Sequence, residues 1–329
     1  PKGQYMLAIT ENLPPEVEPV ADSALNTSIT GRPLNRRNYT PYLAAVAIAM
    51  LALNLFSNWQ QPAPTPANPF AESKLWQPML DDASPILILV GDYYIMGEQD
   101  AAGNVNRMVR EFDINSAAEL LEDQAKGQAD NYLNLDLAYT PTSAPKAIAQ
   151  VMKVFGAQGS RVSVKMMSEF KTTDLVGNHI IYLGYLSGLQ SLTDLMFAAS
   201  GLALGLTYDE LINLNDDTVY ESSSGLSVGE ASYKDYGMLS AFPSPSGKQI
   251  VLLAGMRDEG LVNLSEEVTT PDKLAVLEKT LEQKAGAEPA FEALYEVLGF
   301  DNTNFDAKLV FSDELDTNVL WETRLIGQP

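Results

Sequence analysis

The sequence predicts an α/β protein in which a single N-terminal transmembrane helix is followed by an extracytoplasmic α/β domain with a mixed sheet. Two observations predict the helix: residues 41–71 carry no charged side chain, and Tyr42 to Phe56 is apolar except at Asn54. A third observation predicts the domain. After residue 74, short apolar runs alternate with segments that carry helix-start signals, which is typical of α/β folds.

The membrane helix is predicted over residues 41–59. That range spans about 28 Å at 1.5 Å per residue, close to the thickness of the hydrocarbon core. Arg32, Arg36 and Arg37 precede the helix, and no charge follows it before Glu72. The positive-inside rule then places the N-terminus in the cytoplasm and the domain outside the bacterial inner membrane. The alternatives are a buried core helix and a cleaved signal peptide, which would need an n-region of about forty residues.

The predicted organisation has four parts. Residues 1–40 form a cytoplasmic tail and tether, 41–59 the transmembrane helix, 60–73 a proline-rich linker and 74–329 the extracytoplasmic domain. Prolines alternate with small residues from Gln60 to Pro69, which favours polyproline II and a reach of about 30 Å. The domain is therefore expected to stand off the bilayer.

The charge and the composition exclude several functions. The formal net charge is −22, and from Glu72 onward the chain has 39 acidic and 17 basic side chains. Such a surface repels nucleic acid and anionic headgroups. The lack of cysteine excludes disulfides and thiolate chemistry, and a single histidine, His179, excludes a multi-histidine metal site. We expect no cofactor and no metal.

The predicted strands are short apolar runs. Ile86–Val90 is continuously apolar, which is typical of a strand covered on both faces. The remaining strands are predicted at Val162–Met166, Ile180–Leu183, Tyr233–Phe242, Ile250–Ala254 and, as a closing hairpin, at Lys308–Phe311 and Val319–Glu322.

The predicted helices follow capping signals and apolar stripes. Ser116 and Glu119 form a capping box, and Thr270 is expected to cap a helix that starts at Pro271. Ser143 is expected to cap a helix that has Pro145 in its first turn. Two more helices are predicted from apolar patterns, at Leu189–Ala199 and along the stripe Phe291, Leu294, Tyr295 and Leu298.

Three apolar strands end in glycine followed by a polar or bulky residue, at Asp92, Tyr185 and Met256. In open α/β sheets, ligands bind outside the carboxyl ends of the strands. If the first two strands are parallel neighbours, their turns share one edge of the sheet. A ligand is then expected near Asp92, Tyr93, Tyr94, Glu98, Tyr185 and Ser187. The alternative interpretation is that each glycine only allows the chain to turn.

No catalytic residue is predicted. Ser143-Ala-Pro-Lys146 matches the S-x-x-K nucleophile motif, but the partner motifs K-T-G and S-D-N are absent. Ser143 is therefore better explained as a helix cap. His179 has no identifiable serine or aspartate partner, so a structural role is expected for it.

Two parts of the chain resemble a known class of protein. Pro1-Lys-Gly-Gln-Tyr5 is similar to the end of the winged-helix domain of membrane-anchored transcriptional regulators. Trp76-Gln-Pro, ILILVGDYY, Asn178-His-Ile-Ile-Tyr-Leu-Gly and the closing strands resemble extracytoplasmic parts of uncharacterised bacterial proteins of that layout. The resemblance implies a cytoplasmic DNA-binding output, whose recognition helix is not in this sequence.

The leading functional hypothesis is a bitopic signalling protein whose outer domain senses a small ligand or a partner. The alternative is a membrane-tethered extracytoplasmic hydrolase or a solute-binding protein, for which Asp92, Glu98, Ser143 and Lys146 are the candidate residues. The expected partners are the membrane and a small molecule or an envelope protein. A homodimer is left open, and nucleic acid is not expected to bind these residues.

Overall fold

The computed structural model describes residues 40–59, 68–224, 232–285, 290–300 and 303–325. The chain forms two compact units, one ending at Thr65 and the other beginning at Pro66. The predicted tail up to residue 39 and residues 60–67 of the predicted linker lie outside the described residues.

The first unit contains the helix α1 (Thr40–Trp59), so the predicted helix is confirmed as a helix. The side chains of α1 are described from Pro41 to Leu53, and the large apolar ones among them are exposed. Within the described part of the chain, no helix combines the length and the apolarity that crossing a membrane requires.

The second unit is built on a seven-stranded mixed sheet with the order β13-β12-β10-β11-β6-β1-β5. The four strands β5, β1, β6 and β11 are parallel to one another, and the others are antiparallel to their neighbours. The strand bounds are β1 Ile86–Val90, β5 Val162–Met166, β6 His179–Tyr185, β10 Ser232–Pro243, β11 Gln249–Gly255, β12 Phe291–Phe300 and β13 Thr303–Glu314. The predicted mixed α/β class is confirmed.

Two three-stranded antiparallel sheets are inserted into this frame. The first follows β1 and has the order β3-β2-β4; the second follows β6 and has the order β7-β8-β9. Their strands are β2 Tyr93–Gln99, β3 Val105–Val109, β4 Tyr132–Tyr139, β7 Leu202–Leu204, β8 Glu210–Asn213 and β9 Val219–Glu221.

The helices of the second unit cover both faces of the large sheet. They are α2 Gln77–Asp81, α3 Ala117–Ala125, α4 Ser143–Phe155, α5 Asp174–Gly177, α6 Thr193–Phe197, α7 Asp258–Thr269, α8 Pro271–Ala285 and α9 Thr317–Leu325. Alternation along β1 sends Ile86, Ile88 and Val90 to the face that packs on α4, α7 and α8. Leu87 and Leu89 face the opposite core. This two-sided burial explains why β1 is apolar throughout.

The start of the second unit lies earlier than the predicted boundary at residue 74. Phe70 and Ser73, which were expected in the linker, are buried, and the Asn68 amide donates to the carbonyl of Val154 at 2.7 Å. Trp76 is fully buried and its Nε1 donates to the carbonyl of Val268 at 2.7 Å. These contacts tie the chain to the domain from residue 68 onward.

The predicted helix along Phe291 to Leu298 is wrong, because these residues form strand β12. The apolar positions fit a helical period, but β12 pairs along ten residues with β10 and also with β13. Near the start of β12 both faces of the sheet are covered, so even Glu292 is buried. Tertiary pairing here overrides the local pattern.

The predicted strand Val319–Glu322 is also wrong, because it lies in the helix α9. The Asp316 carboxylate accepts a hydrogen bond from the Asn318 amide at 2.9 Å, just where this helix begins. The predicted strand Lys308–Phe311 lies within β13, whose hairpin partner is β12.

The predicted helix Leu189–Ala199 is shorter than expected. Residues 190–192 form a 3-10 turn, and only Thr193–Phe197 is α-helical. Gln190 has a φ of 47°, in the left-handed region, which a continuous helix does not permit.

Two predicted helix starts differ in how they are capped. Ser116 Oγ accepts from the Glu119 amide at 3.2 Å, which confirms this cap. The helix at Ser143 is confirmed, but the expectation that Ser143 caps it is wrong. Asp258, at the start of α7, accepts from the Ser143 amide and from Thr142 Oγ1, both at 2.9 Å. The cap is thus supplied by a helix that the sequence analysis did not predict.

Candidate functional site

The carboxyl ends of β1 and β6 meet at one edge of the sheet, as predicted. The two strands are parallel neighbours, and the Gly91 amide donates to the Leu183 carbonyl at 2.9 Å. A Cβ on Gly184 would lie 2.9 Å from Gly91 Cα and 2.4 Å from the Tyr182 hydroxyl oxygen. Glycine at these strand ends therefore allows a close approach of backbones.

A cleft of about 430 Å³ lies at this edge, and we call it the edge cleft. The two inserted sheets form its sides. We call residues 93–139, which contain β2 to β4, the first wall, and residues 200–224, which contain β7 to β9, the second wall. The lining residues are Tyr93, Arg110, Phe112, Tyr139, Tyr185, Ser187, Leu206, Thr207, Tyr208, Asp209, Met256 and Arg257.

Aromatic rings and one arginine build the first wall. Tyr93 stacks on Tyr139 with their ring centroids 4.9 Å apart. The Arg110 guanidinium carbon lies 5.5 Å from the ring centre of Tyr93 and 5.2 Å from that of Phe112. Both distances are within the range of cation–π attraction. The Tyr93 hydroxyl lies 2.5 Å from Ser187 Oγ, which joins the first wall to the end of β6.

Arg110 is fixed by its own wall. Its Nη1 donates to the carbonyl of Ile114 at 3.0 Å, and its Nη2 donates to the Asn115 side chain at 2.7 Å. Burial lowers the pKa of Arg110, but a guanidinium stays charged at any physiological pH. Its buried Nε has no hydrogen-bond partner among the described residues. The edge cleft therefore contains a fixed cation.

An ion pair closes the opposite side. Arg257 follows β11, and its Nε donates to Asp209 Oδ1 of the second wall at 2.7 Å. The second contact, from Nη2 to Oδ2, makes the pair bidentate. The pairing links the carboxyl end of the sheet to the turn between β7 and β8.

Two buried carboxylates hold the ends of the second wall. Glu292 on β12 accepts from Ser200 Oγ at 2.5 Å and from the Gly201 amide at 2.7 Å. Asp235 on β10 accepts from Ser222 Oγ at 2.8 Å. Burial raises the pKa of Glu292 to about 7 and that of Asp235 to about 6. We call this pair the carboxylate clamps.

Tyr93 and Tyr185 are neutral hydrogen-bonding groups of the edge cleft. Burial raises the pKa of Tyr93 to about 12. Burial and a hydrogen bond to Asp258 raise the pKa of Tyr185 far above its usual value. A general base works best with a pKa near the operating pH, so neither tyrosine is tuned for proton transfer. The arrangement suits binding better than acid–base catalysis.

Three of the six predicted ligand residues line the edge cleft, namely Tyr93, Tyr185 and Ser187. The other three do not line the edge cleft, and their polar groups are bonded to other residues of the chain. Asp92 is fully buried and accepts from the Ser168 amide at 2.8 Å and from its Oγ at 2.6 Å. The buried Tyr94 donates its hydroxyl to Asn134 at 2.8 Å, and Glu98 pairs with Arg107 across β2 and β3.

Sequence reasoning missed the charged residues of the edge cleft. Arg257 directly follows Met256, the residue after the third glycine-terminated strand, so the same signal pointed to it. Arg110 and Tyr139 had no such signal, because they lie in an insertion whose strands are mostly exposed. Asp209 lies in the second wall, whose strands were not predicted.

The remaining candidates lie outside the edge cleft. Ser143 is buried, whereas Lys146 is exposed. His179 Nδ1 accepts a hydrogen bond from the Gln249 amide at 2.9 Å, so the neutral ring carries its proton on Nε2. This Nε2 lies 3.3 Å from Asp82 Oδ2. Burial lowers the pKa of His179. These contacts fit the structural role expected of this histidine.

Comparison of the chain with protein-family models, curated proteins and solved structures finds no match. The resemblance of the N-terminus to membrane-anchored winged-helix regulators therefore stays a prediction. Functional inference starts from the geometry of the edge cleft.

Proposed function

We propose that this chain is a bitopic membrane signalling protein whose outer α/β domain senses a small organic ligand in the edge cleft. The observation that carries the proposal is the edge cleft itself. It lies outside the carboxyl ends of parallel strands, where open α/β sheets bind ligands. Its volume of about 430 Å³ is in the range of ligand pockets.

The rim of the edge cleft supports binding. Leu206, Phe112 and Tyr139 are 97%, 65% and 51% exposed, although they are large apolar side chains. Clustered exposed apolar surface marks interaction sites in soluble domains. An aromatic rim with a few fixed polar groups is the usual composition of a small-molecule site.

A sensor is favoured over an enzyme by the state of the candidate groups. Tyr93 and Tyr185 are held neutral, and Arg257 is paired with Asp209. The serine of the S-x-x-K motif is 1% exposed, so a substrate has little access to it. No feature of the described residues favours the hydrolase alternative.

The membrane part of the proposal rests on the N-terminal sequence. Residues 41–71 are uncharged, and Arg32, Arg36 and Arg37 precede them. In this proposal the anchor is the uncharged N-terminal stretch as its sequence pattern indicates, the arginines keep the N-terminus in the cytoplasm, and the output is a DNA-binding domain on that side. The resemblance of Pro1 to Tyr5 supports such an output.

The ligand site is tested by thermal-shift screening of the full chain against a small-molecule collection. Thr207 is exposed and lines the edge cleft, so Thr207→Trp should fill the space without disturbing the core. The matched control is Thr218→Trp, an exposed position of the same wall outside the lining. Compounds that stabilise wild type and Thr218→Trp, but not Thr207→Trp, support the site. Stabilisation of all three proteins would place binding elsewhere.

The topology is tested by alkaline phosphatase fusions in a bacterial host. A fusion after Pro329 should be active, and a fusion before Arg36 should be inactive. Neutralising Arg32, Arg36 and Arg37 together should weaken this difference. The reverse activity pattern would overturn the orientation without affecting the ligand site.

A further inference from the structure

A second hollow, of about 840 Å³, adjoins the edge cleft, and we call it the polar hollow. Arg110, Phe112, Ser187 and Tyr208 line both spaces. A ligand that lies against these four residues therefore contacts both spaces at once. The side chains that line each space then indicate which chemical group of such a ligand would bind there.

The two spaces differ in chemistry. The edge cleft is lined by aromatic rings, with Tyr93, Tyr139 and Tyr185 at its base and first wall. The polar hollow is lined largely by hydroxyl and amide side chains, including those of Thr172 and Gln190. Flat rings pack well on tyrosine faces, whereas hydroxyls and amides solvate charged or polar groups. The combined space suits a ligand with one flat end and one polar end.

The lining of the combined space has more basic than acidic side chains, whereas the domain as a whole is acidic. From Glu72 onward the chain has 39 acidic and 17 basic residues, yet the two linings contain three basic side chains and two acidic ones. Asp209 is neutralised by Arg257. Glu119 accepts the Asn115 amide at 2.6 Å, at the start of α3.

Arg110 and Lys171 are then the cations that face the polar hollow. Asp174, three residues after Lys171, is paired with Lys165 at 2.8 Å and accepts a hydrogen bond from the backbone amide of Lys171. The Arg110 Nε has no partner within the described part of the chain. Arg110 donates to neutral groups, the Ile114 carbonyl and the Asn115 amide oxygen, so its charge can still attract an anion, as can that of the exposed Lys171.

We propose that the sensed ligand is an aromatic organic anion, such as an aromatic carboxylate. Its ring lies in the edge cleft against Tyr139 and Tyr185, and its anionic group lies in the polar hollow near Arg110 and Lys171. This ligand class rests on the proposed function, because it assigns both ends of the ligand to that same site.

The test is a ligand-observed NMR titration of the full chain with matched pairs of probes. The anionic probes are 2-naphthoate and indole-3-acetate; the neutral probes are the corresponding primary amides, which keep the ring and remove the charge. Wild type should bind each carboxylate about tenfold more tightly than its amide, since charge-assisted hydrogen bonds are the stronger ones. Thr207→Trp should weaken all four probes.

Lys171→Met separates the charge effect from the ring effect. Because Lys171 is exposed, its loss should weaken carboxylate binding only about threefold, and the amides should be unaffected. Lys146→Met, which removes an exposed lysine outside both linings, is the matched control and should change nothing.

Equal affinity for carboxylates and amides would overturn the anionic class while leaving the edge cleft as a ligand site. Equal weakening by Lys171→Met and Lys146→Met would overturn the assigned position of the anion. If no probe of either charge binds wild type, the aromatic class is wrong. The proposed function is then judged separately by the thermal-shift screen, whose collection is not limited to aromatic anions.

Discussion

The two walls of the edge cleft are stabilised by different chemistry. The first wall is held together internally, by the stacking of Tyr93 on Tyr139 and by the guanidinium of Arg110, which lies over Tyr93. The second wall is held at its ends by the carboxylate clamps, Glu292 and Asp235. A guanidinium keeps its charge over the whole physiological range, whereas the clamps titrate within it. Only the second wall should therefore respond to pH.

The direction of that response follows from the pKa shifts. Burial raises the pKa of Glu292 from 4.5 to about 7 and that of Asp235 from 3.8 to about 6. Asp313 adds to the first shift and Glu259 to the second. A carboxyl whose pKa is raised on folding stabilises the folded state below its unfolded pKa, and this stabilisation is lost as the pH rises through the folded pKa. The second wall should thus loosen between about pH 4 and pH 7.

The largest expected effect is that of Glu292→Ala. The change leaves Ser200 Oγ and the Gly201 amide without their acceptor and opens a small cavity. We expect a loss of about 2–3 kcal/mol in the free energy of unfolding, measured by urea denaturation at neutral pH. Hydrogen exchange should speed up in β7 to β9 and stay unchanged in β2 to β4. Equal acceleration in both walls would refute the idea that they are attached independently.

The second prediction is the pH dependence itself. In wild type, amide protection of β7 to β9 relative to β2 to β4 should fall as the pH rises from about 4 to about 7, because the clamps ionise while buried. The measurement is hydrogen exchange corrected for the intrinsic rate at each pH. Glu292→Gln keeps the shape but cannot ionise, so its dependence should be flatter. A rise in relative protection with pH would contradict the sign of this linkage.

The same contrast explains which parts of the fold were predictable. Strands β1, β6 and β11 are apolar on both faces, so their sequences carry the signal of a covered strand. In β12 a buried Glu292 interrupts the apolar pattern. Its burial depends on Ser200, which lies 92 residues earlier in the chain. The sequence around β12 gives no indication of a contact with such a distant residue. Its apolar residues, taken alone, match a helical period, which is why a helix was predicted.

The candidate site was predictable to a similar degree. Tyr93, Tyr185 and Ser187 follow glycine-terminated strands, and the topology rule of open sheets locates them. Arg110 and Tyr139 reach the edge cleft through strands that are mostly exposed. An exposed strand has little apolar alternation, so neither residue could be placed before the first wall was known.

A smaller effect is expected from Arg110→Met in the first wall. The change removes the cation over Tyr93 and the hydrogen bonds to Ile114 and Asn115. We expect a loss of about 1–2 kcal/mol in urea denaturation, equal at pH 5 and pH 8 because the guanidinium does not titrate. Arg107→Met is the control: this arginine belongs to an exposed pair with Glu98, and its loss should cost far less than the loss of Arg110. A strong pH dependence of the Arg110 effect would remove the distinction between the walls.

The smallest effect is expected from Tyr93→Phe. The ring keeps its stacking on Tyr139 and its position under Arg110, and only the hydrogen bond to Ser187 Oγ is lost. Because Ser187 is half-buried and water can replace the hydroxyl, the free energy of unfolding should fall by only about 0.5–1 kcal/mol. Tyr94→Phe, which loses the hydrogen bond to Asn134, is a matched control within the same strand. If Tyr93→Phe cost more than Arg110→Met, the hydroxyl link to the end of β6 would hold the first wall, and the contrast between ring stacking and carboxylate clamps would have to be abandoned.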